Sequence, residues 1–135
     1  MPTTLISIRK ARPPQQRRAL LEAVHAALVE GIQVPEHDRD VRLQVFAAAD
    51  WLDGPKLGED YTLVEISLFP GRGLEAKRAL YQALVRRLSA FGIAPAQLRV
   101  ILHEVPPENW GLRGGIPGSE LAAEPKVNVE EVSKA

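Results

Sequence analysis

Apolar positions along the chain follow two periods, and the pair of periods occurs twice. Leu5-Ile6-Ser7-Ile8 is a short β-branched run followed by Pro13-Pro14, and Leu63-Val64-Glu65-Ile66-Ser67-Leu68 is a second one closed by Pro70-Gly71. Both read as strands bounded by turn residues. Beyond each run the period changes. Leu20, Val24 and Leu28, and again Leu80, Leu84 and Leu88, recur every four residues, with Arg17, Arg18, Lys77, Arg78, Arg86 and Arg87 mostly elsewhere on the circumference. This pattern predicts two helices of about 17 residues, each with one buried stripe and a charged, solvated face. Val41-Arg42-Leu43-Gln44-Val45 and Leu98-Arg99-Val100-Ile101-Leu102-His103 then return to the character of strands.

The two halves are copies of one another. Moving residues 6–35 forward by 60 positions gives nine identities in thirty: Ile6/Ile66, Ser7/Ser67, Arg12/Arg72, Arg18/Arg78, Ala19/Ala79, Leu20/Leu80, Ala23/Ala83, Leu28/Leu88 and Pro35/Pro95. Chance supplies about two at ordinary residue frequencies. Arg12/Arg72 and Pro35/Pro95 lie outside the helical stretches, where shared periodicity cannot produce them. Strand, crossover helix and strand imply a right-handed βαβ unit with parallel strands. The expected fold class is therefore α/β (α+β), a tandem βαβ repeat forming a four-stranded mixed sheet with two helices on one face. One domain over residues 1–121 is expected: unit one at about 2–46, a Gly/Asp/Pro connector at 47–60, unit two at about 61–105 and a Gly-rich closing segment at 106–121. A polar tail, 122–135, follows, with room for a short edge strand at Val127 to Val129. The strand Arg99 to His103 is apolar on successive residues, which predicts that the second sheet face is also covered. No helix remains to cover it, so the expectation is a homo-oligomer whose open sheet faces pack around a common axis.

Composition narrows the chemistry. The 135 residues are 45% hydrophobic and 25% charged, with seventeen basic residues against seventeen acidic ones and no cysteine. Disulfides, thiolate metal sites and Cys nucleophiles are excluded. Without a basic excess there is no electrostatic footprint for general nucleic-acid binding. The segment MPTTLISIRKARPP has no apolar run resembling a signal peptide and nothing approaches a membrane span, so a cytoplasmic location without membrane association is expected. There is no GxSxG elbow, phosphate-binding Gly loop or HExxH pair. His25, His37 and His103 lack metal-ligand spacing; His25, at a helix edge, and His103, at a strand end, read as structural or solvent-facing.

Pro2 is the exception. Removal of the initiator methionine leaves a secondary amine at the head of the first strand. An α-amino group has an ordinary pKa of about 7.7 to 8.0, and apolar burial beside cations lowers it. Near neutral pH such a nitrogen is a general base.

Pro2 does not stand alone. MPxxxISI at the start, ISLFPGRGLEAKRAL in the middle and LRVILHEVPPENWGLRGG near the end together resemble the tautomerase superfamily, the 4-oxalocrotonate tautomerase-like proteins built on a βαβ unit with a catalytic amino-terminal proline. The resemblance covers about residues 2–121 and is closest to fused two-unit chains of the malonate semialdehyde decarboxylase branch. It implies a homotrimer, no cofactor, a small carboxylate substrate and one working site per subunit. Only the first copy has an amine; the second begins internally near Asp60-Tyr61. By the same resemblance Arg72, from the other copy, grips a substrate carboxylate or 2-oxo group and stabilises the enolate, leaving Arg12 in a pseudo-site. Asp38, in VPEHDR, matches the VPxxDR of the decarboxylase branch and is an acid/base or water-orienting candidate. Arg39 beside it is a candidate substrate ligand or a charge partner. Trp110 matches the aromatic that walls the pocket and excludes water. Arg42 and Arg99 match a substrate-binding arginine of one-unit relatives, and strand register decides where they point.

Two departures favour simple tautomerisation over decarboxylation or dehalogenation. Phe69 and Pro70 stand where relatives carry a second arginine, and Gly111-Leu112-Arg113-Gly114-Gly115 stands where the decarboxylase branch has Ser-Phe-Gly. The implied function is a keto-enol tautomerase acting on small 2-oxo or enol acids. The alternatives are a 3-oxo acid decarboxylase or hydratase at the same site, and a non-enzymatic trimeric binding module.

Overall fold

Three of the apolar pairs shared by the two copies lie at the centre of the core. In a computed structural model that describes residues 2–121, Ile6 and Ile66, Leu20 and Leu80, and Leu28 and Leu88 are all essentially without solvent contact. The chain runs β1 (Thr3–Ile8), α1 (Pro14–Ile32), β2 (Val41–Val45), β3 (Thr62–Leu68), α2 (Leu74–Leu88) and β4 (Leu98–Glu104). A two-residue hairpin, β5 (Gly111–Leu112) and β6 (Ile116–Pro117), closes the described chain with the short helix α3 (Gly118–Leu121).

The sheet order is β2-β1-β3-β4. β1 pairs with β2 in parallel and β3 with β4 in parallel, while β1 and β3 meet antiparallel at the centre. Two βαβ units are thus related by a pseudo-twofold between β1 and β3. Both helices lie on one face, packed on Ile6, Ile8, Val64, Ile66 and Leu68. Burial of such side chains contributes roughly 1.5–3 kcal/mol each.

Local sequence sets the helix ends. Pro13-Pro14 opens α1, where the missing N–H costs nothing. It stops at Gln33, whose left-handed φ of 60° lets its N–H reach the carbonyl of Leu28. α2 has Glu75 in its first turn and Arg86 and Arg87 in its last, both favourable to the helix dipole. The helices cross closely at Gly31, where an added Cβ would lie 2.6 Å from the Leu80 Cα.

The second sheet face carries neither α1 nor α2. Strand alternation puts Arg99, Ile101 and His103 there, with Arg42 and Gln44 of β2 and Glu65 and Ser67 of β3. That face is mixed, with Leu5 of β1 and Leu63 of β3 at its centre among these side chains, and the successive apolar residues of β4 divide between the two sides. Val100 and Leu102 join the helix-side core, and Ile101 is more than a third exposed. The tail, including the strand expected at Val127 to Val129, lies outside the described residues. Among the described residues no helix is long and apolar enough to cross a membrane.

Candidate active site

The antiparallel pairing of the two copies brings the start of the chain to the start of the second turn. Thr3 lies opposite Ser67, so Pro2, one residue earlier and buried, is level with the end of β3. There the chain leaves the sheet through Phe69-Pro70-Gly71-Arg72-Gly73. Gly71 holds a φ of 126°, a conformation that favours glycine. The turn returns half-buried Arg72 toward the sheet end, with Nη1 3.4 Å from the Phe69 carbonyl.

Trp110 closes the same end. Its ring meets Phe69 edge-on, with centroids 5.3 Å apart, and its Nε1 donates to the Val105 carbonyl at 2.9 Å. Val105 in turn donates its N–H to Leu68 at 2.9 Å. The hairpin behind Trp110 is fixed where Gly118 N–H reaches the Trp110 carbonyl at 2.8 Å. A Cβ on Gly118 would stand 2.7 Å from the Pro107 carbonyl oxygen, so no larger residue fits without a shift. Lys77, in the first turn of α2, pairs with Glu104 at the end of β4 at 3.2 Å and ties that turn to the sheet.

On the β2 side, Pro2 is flanked by the turn that carries Asp38. Thr4 N–H donates to the Asp40 carbonyl at 3.0 Å, so β1 and β2 begin side by side. Asp38 is half-buried within this turn, its N–H on the Pro35 carbonyl at 3.0 Å. Pro2, Asp38, Arg72 and Trp110 therefore occupy one end of the sheet. Arg39 faces α1 instead, its guanidinium 2.5 Å from Glu22 and 3.7 Å from Glu36. The hydrogen bond from Arg39 holds the Glu22 carboxyl below its usual range, and Glu22 raises the Arg39 guanidinium in return.

Register also settles Arg42 and Arg99. Arg42, on the helix-free face, donates to Thr3 Oγ1 at 3.0 Å, and Arg99 lies over the Tyr61 ring at the opposite end. That opposite end holds Arg12, the counterpart of Arg72 in the first copy. Arg12 is buried there, Nη2 donating to the Phe91 carbonyl at 2.9 Å and lying 4.0 Å from Asp60. Phe46, Trp51 and Tyr61 stack edge to face beside it. His25, expected to be structural or solvent-facing, is structural. It is 3% exposed rather than at a helix margin, its Nε2 2.9 Å from the Glu36 carbonyl. Its position one residue after Val24 and four after Leu21 was the available signal. His103 is exposed, 3.1 Å from Glu65.

Comparison with known proteins agrees with this architecture. A family model described as tautomerase enzyme matches residues 44–113, and another of the same description matches residues 2–61. The chain belongs to the tautomerase family, as two fused βαβ units, and is an enzyme of that family. The 2-hydroxymuconate tautomerase of Comamonas testosteroni is 41% identical over 58 residues, 42% of this chain and 90% of that one. The Q0 fused 4-OT wild-type symmetric trimer superposes with a TM-score of 0.74 at 32% identity, covering 87% of this chain and 96% of that one. FG41 malonate semialdehyde decarboxylase inhibited by 3-bromopropiolate gives a TM-score of 0.72 at 27% identity, over 93% and 99%.

Proposed function

We propose that the chain is a cofactor-independent keto-enol tautomerase of small 2-oxo and enol carboxylic acids, with Pro2 as general base. The observation that carries this reading is the buried Pro2 lying between the Arg72 turn of the duplicated half and the Asp38 turn, with Trp110 closing that end of the sheet.

The neutral Pro2 nitrogen takes the proton of the enol hydroxyl, and electron density moves through the conjugated system to carbon. The same nitrogen then returns the proton to that carbon, so no proton is gained or lost overall. Arg72 holds the carboxylate and the oxygen on which negative charge grows; donors aimed at developing charge are worth most where water is excluded. The Trp110–Phe69 wall supports that exclusion. Asp38 assists proton movement. Arg39, committed to Glu22 and Glu36, reaches a substrate only by leaving them.

Turnover of 2-hydroxymuconate and phenylenolpyruvate tests the reading. Arg72→Ala is expected to lower kcat/KM by roughly 10² to 10³, and Pro2→Ala, which exchanges a secondary for a primary amine, by at least about tenfold. Unchanged turnover in both variants would make the mechanism wrong.

Asp38 in its VPxxDR turn supports a second reading, hydration-linked decarboxylation of a 3-oxo acid with Asp38 orienting water. Carbon dioxide release from malonate semialdehyde separates the two. The assembly proposed is a homotrimer in which the helix-free sheet faces meet, supported by the absence of any covering helix on that face among the described residues and by the trimeric relative.

A further inference from the structure

We infer that His25 is a positioning residue: from α1 it fixes the turn that carries Asp38 at the start of β2, beside Pro2. The inference rests on the tautomerase reading above, in which Asp38 takes part in proton movement.

His25 is 3% exposed, and its Nε2 lies 2.9 Å from the carbonyl of Glu36, in the middle of the Pro35–Asp38 turn. A carbonyl only accepts, so Nε2 carries the proton and Nδ1 the lone pair. Nδ1 is buried and has no hydrogen-bond partner among the described residues. A half-satisfied imidazole in a buried position costs stability that an apolar side chain of similar volume does not. What the ring adds over a leucine is the bond to Glu36. Leu21 and Val41 line the same cleft of 260 Å³ and supply apolar packing without it.

From Glu36 the linkage runs directly to the site. Asp38 N–H closes the turn on Pro35 at 3.0 Å, Arg39 N–H reaches the His37 carbonyl at 3.1 Å, and the Asp40 carbonyl accepts from Thr4, two residues after Pro2. The Arg39–Glu22 pair also attaches the turn to α1, through side chains that are each more than two-fifths exposed. Solvent and salt weaken such a pair. Arg18 also reaches Glu22, at 3.6 Å, and divides its charge. The buried His25 bond is an attachment that ionic strength leaves intact.

Amide hydrogen exchange and steady-state kinetics on the full chain, with His25→Leu and His25→Gln, test this. The glutamine amide supplies a donor near the Nε2 position, whereas leucine supplies none. His25→Leu is expected to speed exchange at the Asp38 and Arg39 amides about tenfold while β3 and α2 are unaffected, and to lower kcat about tenfold with KM little changed. His25→Gln is expected to recover most of both. Unchanged exchange at Asp38 in His25→Leu, faster exchange with unchanged kcat, or a glutamine variant no better than leucine each overturns the proposal. Imidazole nitrogen shifts of the unmodified protein give a reading that needs no variant: an Nε2–H tautomer supports the bond, and an Nδ1–H tautomer contradicts it. If the unmodified protein turns over no enol acid, the tautomerase reading falls alone, because the exchange and tautomer results still decide whether His25 fixes the turn.

Discussion

Arg12 and Arg72 occupy the same place in the two copies, and the fold sends them to opposite ends of the sheet. Arg12 is buried, donates to the Phe91 carbonyl and sits beside the Phe91 ring and Asp60, so it joins the first unit to the second at the end that has no amine. Arg72 stands at the end where the chain begins. Arg12→Ala should therefore lower stability by about 1–3 kcal/mol, since it strands buried acceptors, while kcat/KM for enol acids stays within about threefold. Urea unfolding read beside the enol assay distinguishes this from Arg72→Ala, for which activity falls and stability changes little. The identity of the two arginines was legible in the repeat. The surroundings of Arg12 were not, because its partners lie 48 and 79 positions away in sequence. His25 shows the same limit: the helical period gave its element, but the bond that defines it depends on how the Pro35–Asp38 turn folds back.

Elements were easier to read than contacts. Four strands and two helices follow from period and punctuation, since a change from alternation to a four-residue repeat leaves few other solutions. The hairpin β5–β6 was not legible, because two-residue strands carry no period; it is set by Arg113, Gly114 and Gly115, all with positive φ. The apolar run in β4 divides between the two faces, because strand alternation sends Arg99, Ile101 and His103 to the helix-free side. The packing of α1 on α2 yields a test at this scale. Gly31→Ala gains up to about 1 kcal/mol of helix propensity but drives a Cβ to 2.6 Å from the Leu80 backbone. Overpacking of this kind costs typically about 1–3 kcal/mol, so a net loss of stability is expected in thermal or urea unfolding. A gain would show that the two helices separate readily.

At the scale of the whole molecule, charge is distributed on the outside, and Pro2, Asp38, Arg72 and Trp110 lie at one end of the sheet. Arg39 holds Glu22, Arg86 holds Glu30 and Arg9 holds Asp53 below the usual carboxylate range, by hydrogen bonds first and by charge second. A depressed folded-state pKa adds stability above the unfolded value of about 4 and loses it as pH falls through the folded value. Thermal stability should thus be nearly flat from about pH 7 to pH 5 and decline below about pH 4, more shallowly at high salt because these pairs are exposed. The assembly has its own test: sedimentation should give the mass of three chains, and Leu5→Arg, on the helix-free face, should yield monomers of unchanged helix content. A monomeric unmodified protein would remove the proposed trimer. Pro2, Asp38, Arg72 and Trp110 were readable as candidates because each sits in a recognisable motif, whereas their convergence depends on the antiparallel meeting of the two copies. The most direct test of the claim that a proline nitrogen does the chemistry compares two preparations of one sequence, sorted by intact mass into chains that begin at Pro2 and chains that retain the preceding methionine. Only the former should convert 2-hydroxymuconate, because an amide nitrogen takes no proton at neutral pH; equal rates from both would contradict the account.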